Sequence, residues 1–131
     1  HANRGEFPAA EALCQTILRA DDLHADAHHL LALCREAAGD TQGARDHDET
    51  AVYLRPQFAL ARLHLGRMAR RLGDLDAARR ELALAGEHLQ GEDPSRLLLF
   101  GGGLPREVLA ALGRAELAAC GGGLEAWGGG R

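Results

Sequence analysis

The sequence predicts an all-α fold: helical hairpins recurring at a constant interval, two complete and one partial, with a capping helix at the C-terminal end. Three observations carry that prediction. Apolar residues step by three and four positions along the central stretch, and a Gly-acid pair returns every 34 residues. Aromatics make up only 4% of the chain while Ala and Leu dominate, so the core must come from closely approaching helices rather than large rings.

The pattern is clearest between Ala59 and Ala85. Leu60, Leu63, Leu65, Met68 and Leu72 supply the apolar positions of one helix, with Ala59, Ala61 and Gly66 as small contact residues. Gly73-Asp74 then breaks the period, because Gly accepts a left-handed conformation and Asp accepts from the amides that open the next helix. That next helix presents Leu75, Ala78, Leu82 and Ala85, with Arg79, Arg80 and Glu81 mainly on outer faces. A shift of 34 residues toward the N-terminus puts Gly39-Asp40 under Gly73-Asp74, Ala44 under Ala78, Ala51 under Ala85, Leu31 under Leu65 and Ala25 under Ala59. A second shift brings Gly5-Glu6, Ala10 and Ile17 into the same columns.

Residues 1–24 are the expected partial repeat, with its second helix at 5–20. Pro8 suits the first turn of that helix, where a missing amide costs nothing. Its apolar face (Phe7, Leu13, Ile17) is half covered if no helix precedes it, which invites pairing with a second copy or an upstream domain. The chain opens on His1 in mid-repeat and is expected to be part of a longer protein.

Residues 25–58 form a full repeat. Its first helix, with the entry turn, runs from Asp21 to Ala38, with apolar positions at Leu30, Leu31, Leu33 and Cys34. Its partner runs from Thr41 to Leu54, and the succession Arg45, Asp46, His47, Asp48, Glu49 reads as an outer face or a docking edge. Arg55-Pro56 closes it, since a residue before proline is pushed out of helical geometry.

Residues 59–94 form the next repeat, whose helix ends in a loop marked by Gly86 and the run from Gln90 to Pro94. Residues 95–120 hold the short apolar run Leu97–Phe100, the hinge Gly101-Gly102-Gly103 and a capping helix opened by Pro105. Val108, Leu109, Leu112 and Leu117 are its expected buried stripe. Residues 121–131 read as a flexible Gly-rich tail in which Trp127 stands alone.

Composition bounds the function. At 131 residues there is room for one modest core, and a formal net charge of −4 argues against a general nucleic-acid binder. No apolar run approaches the ~20 residues of a membrane span, and no signal peptide is visible. Cys14, Cys34 and Cys120 lack metal-like spacing, and the first two fall on packing columns. Buried, reduced thiols and a cytoplasmic location are therefore expected.

The pattern offers little for catalysis. His24 and His28 sit four apart as metal ligands on a helix do, but no Cys or third spaced ligand joins them, so polar residues around a helix start are the better account. The triple glycine lacks a following Lys-Ser/Thr and a preceding strand, so a turn passing close to neighbouring helices is preferred to a phosphate cradle. Free amides at Leu104 to Glu107 remain a place for a partner's acidic side chain. No catalytic residues, cofactor or metal ligands are assigned.

A 34-residue helix-turn-helix period with Leu65-Gly66 in the first helix, Gly73-Asp74 at the turn, Ala78 in the second and Pro56 at the end of a repeat resembles the tetratricopeptide repeat. The resemblance implies a concave groove lined by the first helix of each pair. Its usual columns give Asp26, His29, Leu33 and Glu36 from one repeat and Leu60, Leu63, Arg67, Arg70 and Arg71 from the next. Such a groove would be acidic at one end and basic at the other. The three arginines then either pair with carboxylates of an acidic partner or form a solubilising face. The Lys and Asn groove residues of chaperone-binding relatives are not matched.

The segment 59–123 is more specific. Leu99-Phe100-Gly101-Gly102-Gly103, then Arg106-Glu107 and Arg114-Ala115-Glu116-Leu117, resemble the tetratricopeptide tail that follows the catalytic domain in some chemotaxis-receptor glutamate methyltransferases of the CheR type. Leu104-Pro105 stands where those relatives tend to have an aromatic and a serine, and Gly113 where they tend to have cysteine. The resemblance implies a non-enzymatic protein-binding tail on a parent that transfers methyl groups from S-adenosylmethionine to receptor glutamates. Its partner would be the receptor, the attached catalytic domain or a signalling protein. A self-association domain and a scaffold of another bacterial signalling or secretion protein are the alternatives.

Overall fold

The computed structural model describes residues 6–21 and 23–121, with side chains from Pro8 onward. The expectations for Gly5, the Phe7 side chain and Trp127 lie outside the described residues, as does the tail beyond residue 121. Among the described residues there are seven helices and no strand, in two compact units, residues 1–56 and 57–131.

The first unit contains α1 (Glu6–Ala20), α2 (Ala25–Ala37) and α3 (Thr41–Leu54), with α2 packed on both α1 and α3. Cys14, Ala27 and Leu31 are its buried apolar centre, flanked by Ile17, Leu18 and Leu30. The His24 ring Nδ1 accepts the Ala27 amide at 3.0 Å and caps α2, so this histidine is committed to the helix start. Asp40 caps α3 by accepting from the Gly43 amide at 2.8 Å. Gly39 makes the turn between them at φ 84°, a conformation that would strain any residue with a Cβ.

The second unit contains α4 (Ala59–Arg71), α5 (Leu75–Leu89), α6 (Pro94–Phe100) and α7 (Arg106–Ala119). Its first hairpin repeats the geometry of α2 and α3. Gly73 turns at φ 81° and Asp74 caps α5 through the Ala77 amide at 3.2 Å. Even the closing bonds correspond: Asp40 N to Arg35 O and Asp74 N to Ala69 O are both 2.9 Å. The two helices of the second hairpin approach closely at Gly66, where an added Cβ would lie 2.6 Å from Leu82 Cγ.

Phe58, which precedes α4, supplies no side-chain cap. The cap comes instead from the buried Glu92, whose Oε2 accepts the Leu60 amide at 3.1 Å from the turn after α5. Phe58 itself is buried, with the Phe100 ring 5.9 Å from its own and the Arg96 guanidinium 4.9 Å from its centroid. α7 packs on α5, and Arg106 clamps the end of α5 by donating to the Leu89 carbonyl at 2.6 Å and the Gln90 carbonyl at 3.0 Å. Gly101 is buried where an added Cβ would strike the Leu97 carbonyl oxygen, so the triple glycine is a tight turn of the expected kind.

Several local expectations change. α5 runs through a buried Gly86 to Leu89, because the flat face of that glycine is packed rather than exposed. The run Leu97–Phe100 belongs to the helix α6, opened by Asp93, whose carboxylate accepts the Ser95 amide at 2.8 Å, and by Pro94 in the first turn. In α7 Val108 and Leu112 are exposed, and the small residues Ala110 and Gly113 join Leu109 and Leu117 in contact, since close packing on α5 selects short side chains. Leu72 and Leu75 are likewise exposed at the ends of their helices. Glu81 and Asp48, both expected on outer faces, are buried in pairs. The Leu104 amide donates to Gly101 O at 3.1 Å and is closed to a partner. No helix of the described residues is long and apolar enough to cross a membrane.

Candidate partner-binding face

Helix α4 lays down the arginines. Positions 67, 70 and 71 follow the three-and-four rhythm of one helix flank, continuing toward its C-terminal end the flank on which Leu60, Leu63 and His64 are buried. They surround a cavity of about 260 Å³, whose fourth wall is Glu116 of α7. Arg70 Nη1 lies 2.7 Å from Glu116 Oε1, and Arg67 Nε lies 3.5 Å from the other carboxylate oxygen. Arg71 Nη1 reaches the Met68 sulfur at 3.9 Å. The Arg67 and Arg70 side chains keep 41% of their surface exposed, so solvent and an incoming group both reach them. The two guanidiniums thus hold the two oxygens of one carboxylate borne on α7.

The other expected groove residues divide. Leu60 and Leu63 are buried and serve the packing of α4. His29 is buried as well: its Nδ1 lies 2.7 Å from Asp48 Oδ1, and Asp48 is fully buried on α3. A polar pair thus fills the columns that Leu63 and Leu82 occupy 34 residues later. Asp26, Leu33 and Glu36 remain partly exposed on α2.

A second cavity, about 350 Å³, lies in the first unit among Glu11, Gln15, Leu31, Arg35, Asp40, Gly43, Asp46 and His47. Arg35 is ion-paired to Glu11 across it. Beside it the His28 and His47 Nδ1 atoms are 3.4 Å apart. Burial, then the nearby His28 and Arg35, push the His47 imidazole below its ordinary value. Cys14 and Cys34 are buried free thiols whose ionisation is pushed up, first by burial, as their packing columns require.

Sequence reasoning missed Glu116 as a partner of the arginines and Glu92 as the cap of α4. The first had a signal: Glu116 is the one acid in the last turns of α7, where most neighbours are small or apolar. The second had none in local periodicity, since it reaches back 32 positions.

No family model matches the chain. Over 79 residues, 60% of the chain, it is 37% identical to the probable biofilm formation methyltransferase WspC of Pseudomonas putida, and equally so to its namesake in Pseudomonas aeruginosa. The chain spans only 19% of the length of those relatives. Among solved structures it is similar to the Yersinia enterocolitica type III secretion chaperone SycD in complex with a peptide of the translocator YopD, at TM-score 0.72 and 19% identity over 89% of this chain and 81% of that one. It is similar in the same degree to PcrH in complex with the chaperone-binding region of PopD, at TM-score 0.72 and 22% identity over 89% of this chain and 80% of that one. The chain therefore has an all-α, tetratricopeptide-like fold, and the likeness to a methyltransferase read from its sequence is upheld by the matched stretch.

Proposed function

We propose that this chain is a protein-binding segment that targets a chemoreceptor methyltransferase to its substrate. The observation that carries the reading is the α4 arginine site, an exposed cationic cavity on a helical-repeat scaffold. The matched stretch of methyltransferase supports the link to methyl transfer, and the peptide complexes of the structural neighbours support the use of such a scaffold for peptide capture. Methylatable receptor helices are rich in glutamate, which suits Arg67, Arg70 and Arg71. The segment works in the cytoplasm by raising the local concentration of receptor near a catalytic domain that uses S-adenosylmethionine, and makes or breaks no bond itself.

The test is made in the parent protein. Removing the segment should slow receptor methylation when receptor is scarce and leave it unchanged at saturation. Equal rates at both concentrations, or a parent without a methyltransferase domain, contradicts the reading.

A second reading, self-association through α1, is favoured by Leu13, which is 59% exposed on that helix. Sedimentation at rising concentration decides it: a monomer throughout removes it, whereas a dimer dispersed by Leu13→Glu supports it.

A further inference from the structure

The arginine site already holds a carboxylate from its own chain. Both Glu116 oxygens are engaged, one by Arg70 at 2.7 Å and one by Arg67 at 3.5 Å, while Arg71 lines the same cavity. Glu116 is not needed to bury an apolar surface, since the contacts of α7 come from Leu109, Ala110, Gly113 and Leu117. Nor does it anchor α7: Arg106 fixes the start of that helix on the end of α5, and Arg79 donates to the Cys120 carbonyl at 2.8 Å at its end. The pair is solvent-accessible, with the Glu116 side chain 25% exposed, so an outside carboxylate can compete for it.

We propose that Glu116 is a built-in competitor that occupies the α4 site until a glutamate-rich helix displaces it. The inference rests on the docking reading above and names both its ligand class and its regulation. Glu116 presents to Arg67 and Arg70 the same group that an acidic helix presents, a carboxylate carried on a helical face. Because it is tethered, it competes at high effective concentration. A ligand with one carboxylate gains nothing by exchange. One carrying carboxylates at i and i+4 replaces Glu116 and also engages Arg71, so the tethered acid selects for clustered glutamates. On displacement, the Glu116 end of α7 loses its link to α4 while its two backbone clamps remain.

The experiment uses the full chain and a fluorescein-labelled, alanine-rich helical peptide with glutamates at i and i+4, read by fluorescence anisotropy at low salt. Circular dichroism first establishes that Glu116→Gln melts as a folded protein. The proposal expects Glu116→Gln to bind the peptide about two- to fivefold more tightly than the unaltered chain, the scale of an exposed ion pair removed from competition. The gain should vanish when Arg70→Gln is added. Binding that depends on Arg70 but is not tightened by Glu116→Gln overturns the competitor and leaves the docking reading standing. An absence of binding by every variant overturns both.

Discussion

The Glu92 carboxylate accepts the backbone amide of Leu60 at 3.1 Å, so the start of α4 is capped by a residue from beyond the far end of its hairpin. The other oxygen accepts from the Asp93 amide at 3.2 Å, which fixes the carboxylate in place. Replacement by Ala leaves a buried donor without this acceptor. Glu92→Ala is therefore expected to lower stability by about 1–2 kcal/mol, with Glu92→Gln losing less because its amide oxygen still accepts. Urea unfolding followed by circular dichroism measures both, and equal midpoints for Ala and the unaltered chain would show that this carboxylate does not stabilise the start of α4.

Gly66 is set by packing rather than by backbone freedom. An added methyl meets Leu82 Cγ at 2.6 Å and cannot be accommodated without separating α4 from α5. Gly66→Ala should cost about 1–3 kcal/mol despite the better helix propensity of Ala. Combining it with Leu82→Ala should cost less than the sum of the two, since the cavity left by the leucine receives the new methyl. Strict additivity in thermal melts would show that the two residues do not share this space.

His47 gives the first unit a predictable acid response. Its imidazole is held below the ordinary value near 6.5 by burial and by the adjacent His28 and Arg35, so the unfolded chain takes up its proton first. The stabilising contribution is complete above about pH 6.5 and declines as pH falls from there through the lowered value of the folded state. Asp46 and Asp48 act in the opposite sense and reduce the shift without reversing it. His47→Gln should flatten the stability profile across that window, as read from urea midpoints between pH 7.5 and 5. An unchanged slope would place the acid sensitivity elsewhere.

Burial also governs the thiols. Cys14 and Cys34 are closed to solvent and their ionisation is pushed up, so iodoacetamide at neutral pH should label them slowly in the folded chain and rapidly in urea. Labelling at the unfolded rate under native conditions, read by mass spectrometry, would mean that α1 does not stay on α2.

The repeat was legible because its columns are enforced by geometry: Gly39 and Gly73 need a left-handed turn, and Asp40 and Asp74 cap α3 and α5. The residue occupying a column was less legible. His29 and Asp48 stand where Leu63 and Leu82 stand later, and a buried polar pair looks in sequence like two surface residues. In the same way Arg62 and Glu81, 2.6 Å apart, hold the columns of His28 and His47. The helix α6 spans seven residues, too few for a period to register, although Asp93-Pro94 marked its start. The arginines of α4 were found from their helix alone, whereas their partner Glu116 lies 46 residues beyond Arg70 and only folding brings it there.

Docking of an acidic helix on the α4 arginines is what the proposed function stands on. The most direct measurement is a titration of a glutamate-rich receptor helix against the unaltered chain and the Arg67→Glu/Arg70→Glu/Arg71→Glu variant. Charge reversal is expected to lower affinity by at least about tenfold, an effect that shrinks as salt is raised. Equal affinity for both proteins at low salt would contradict it.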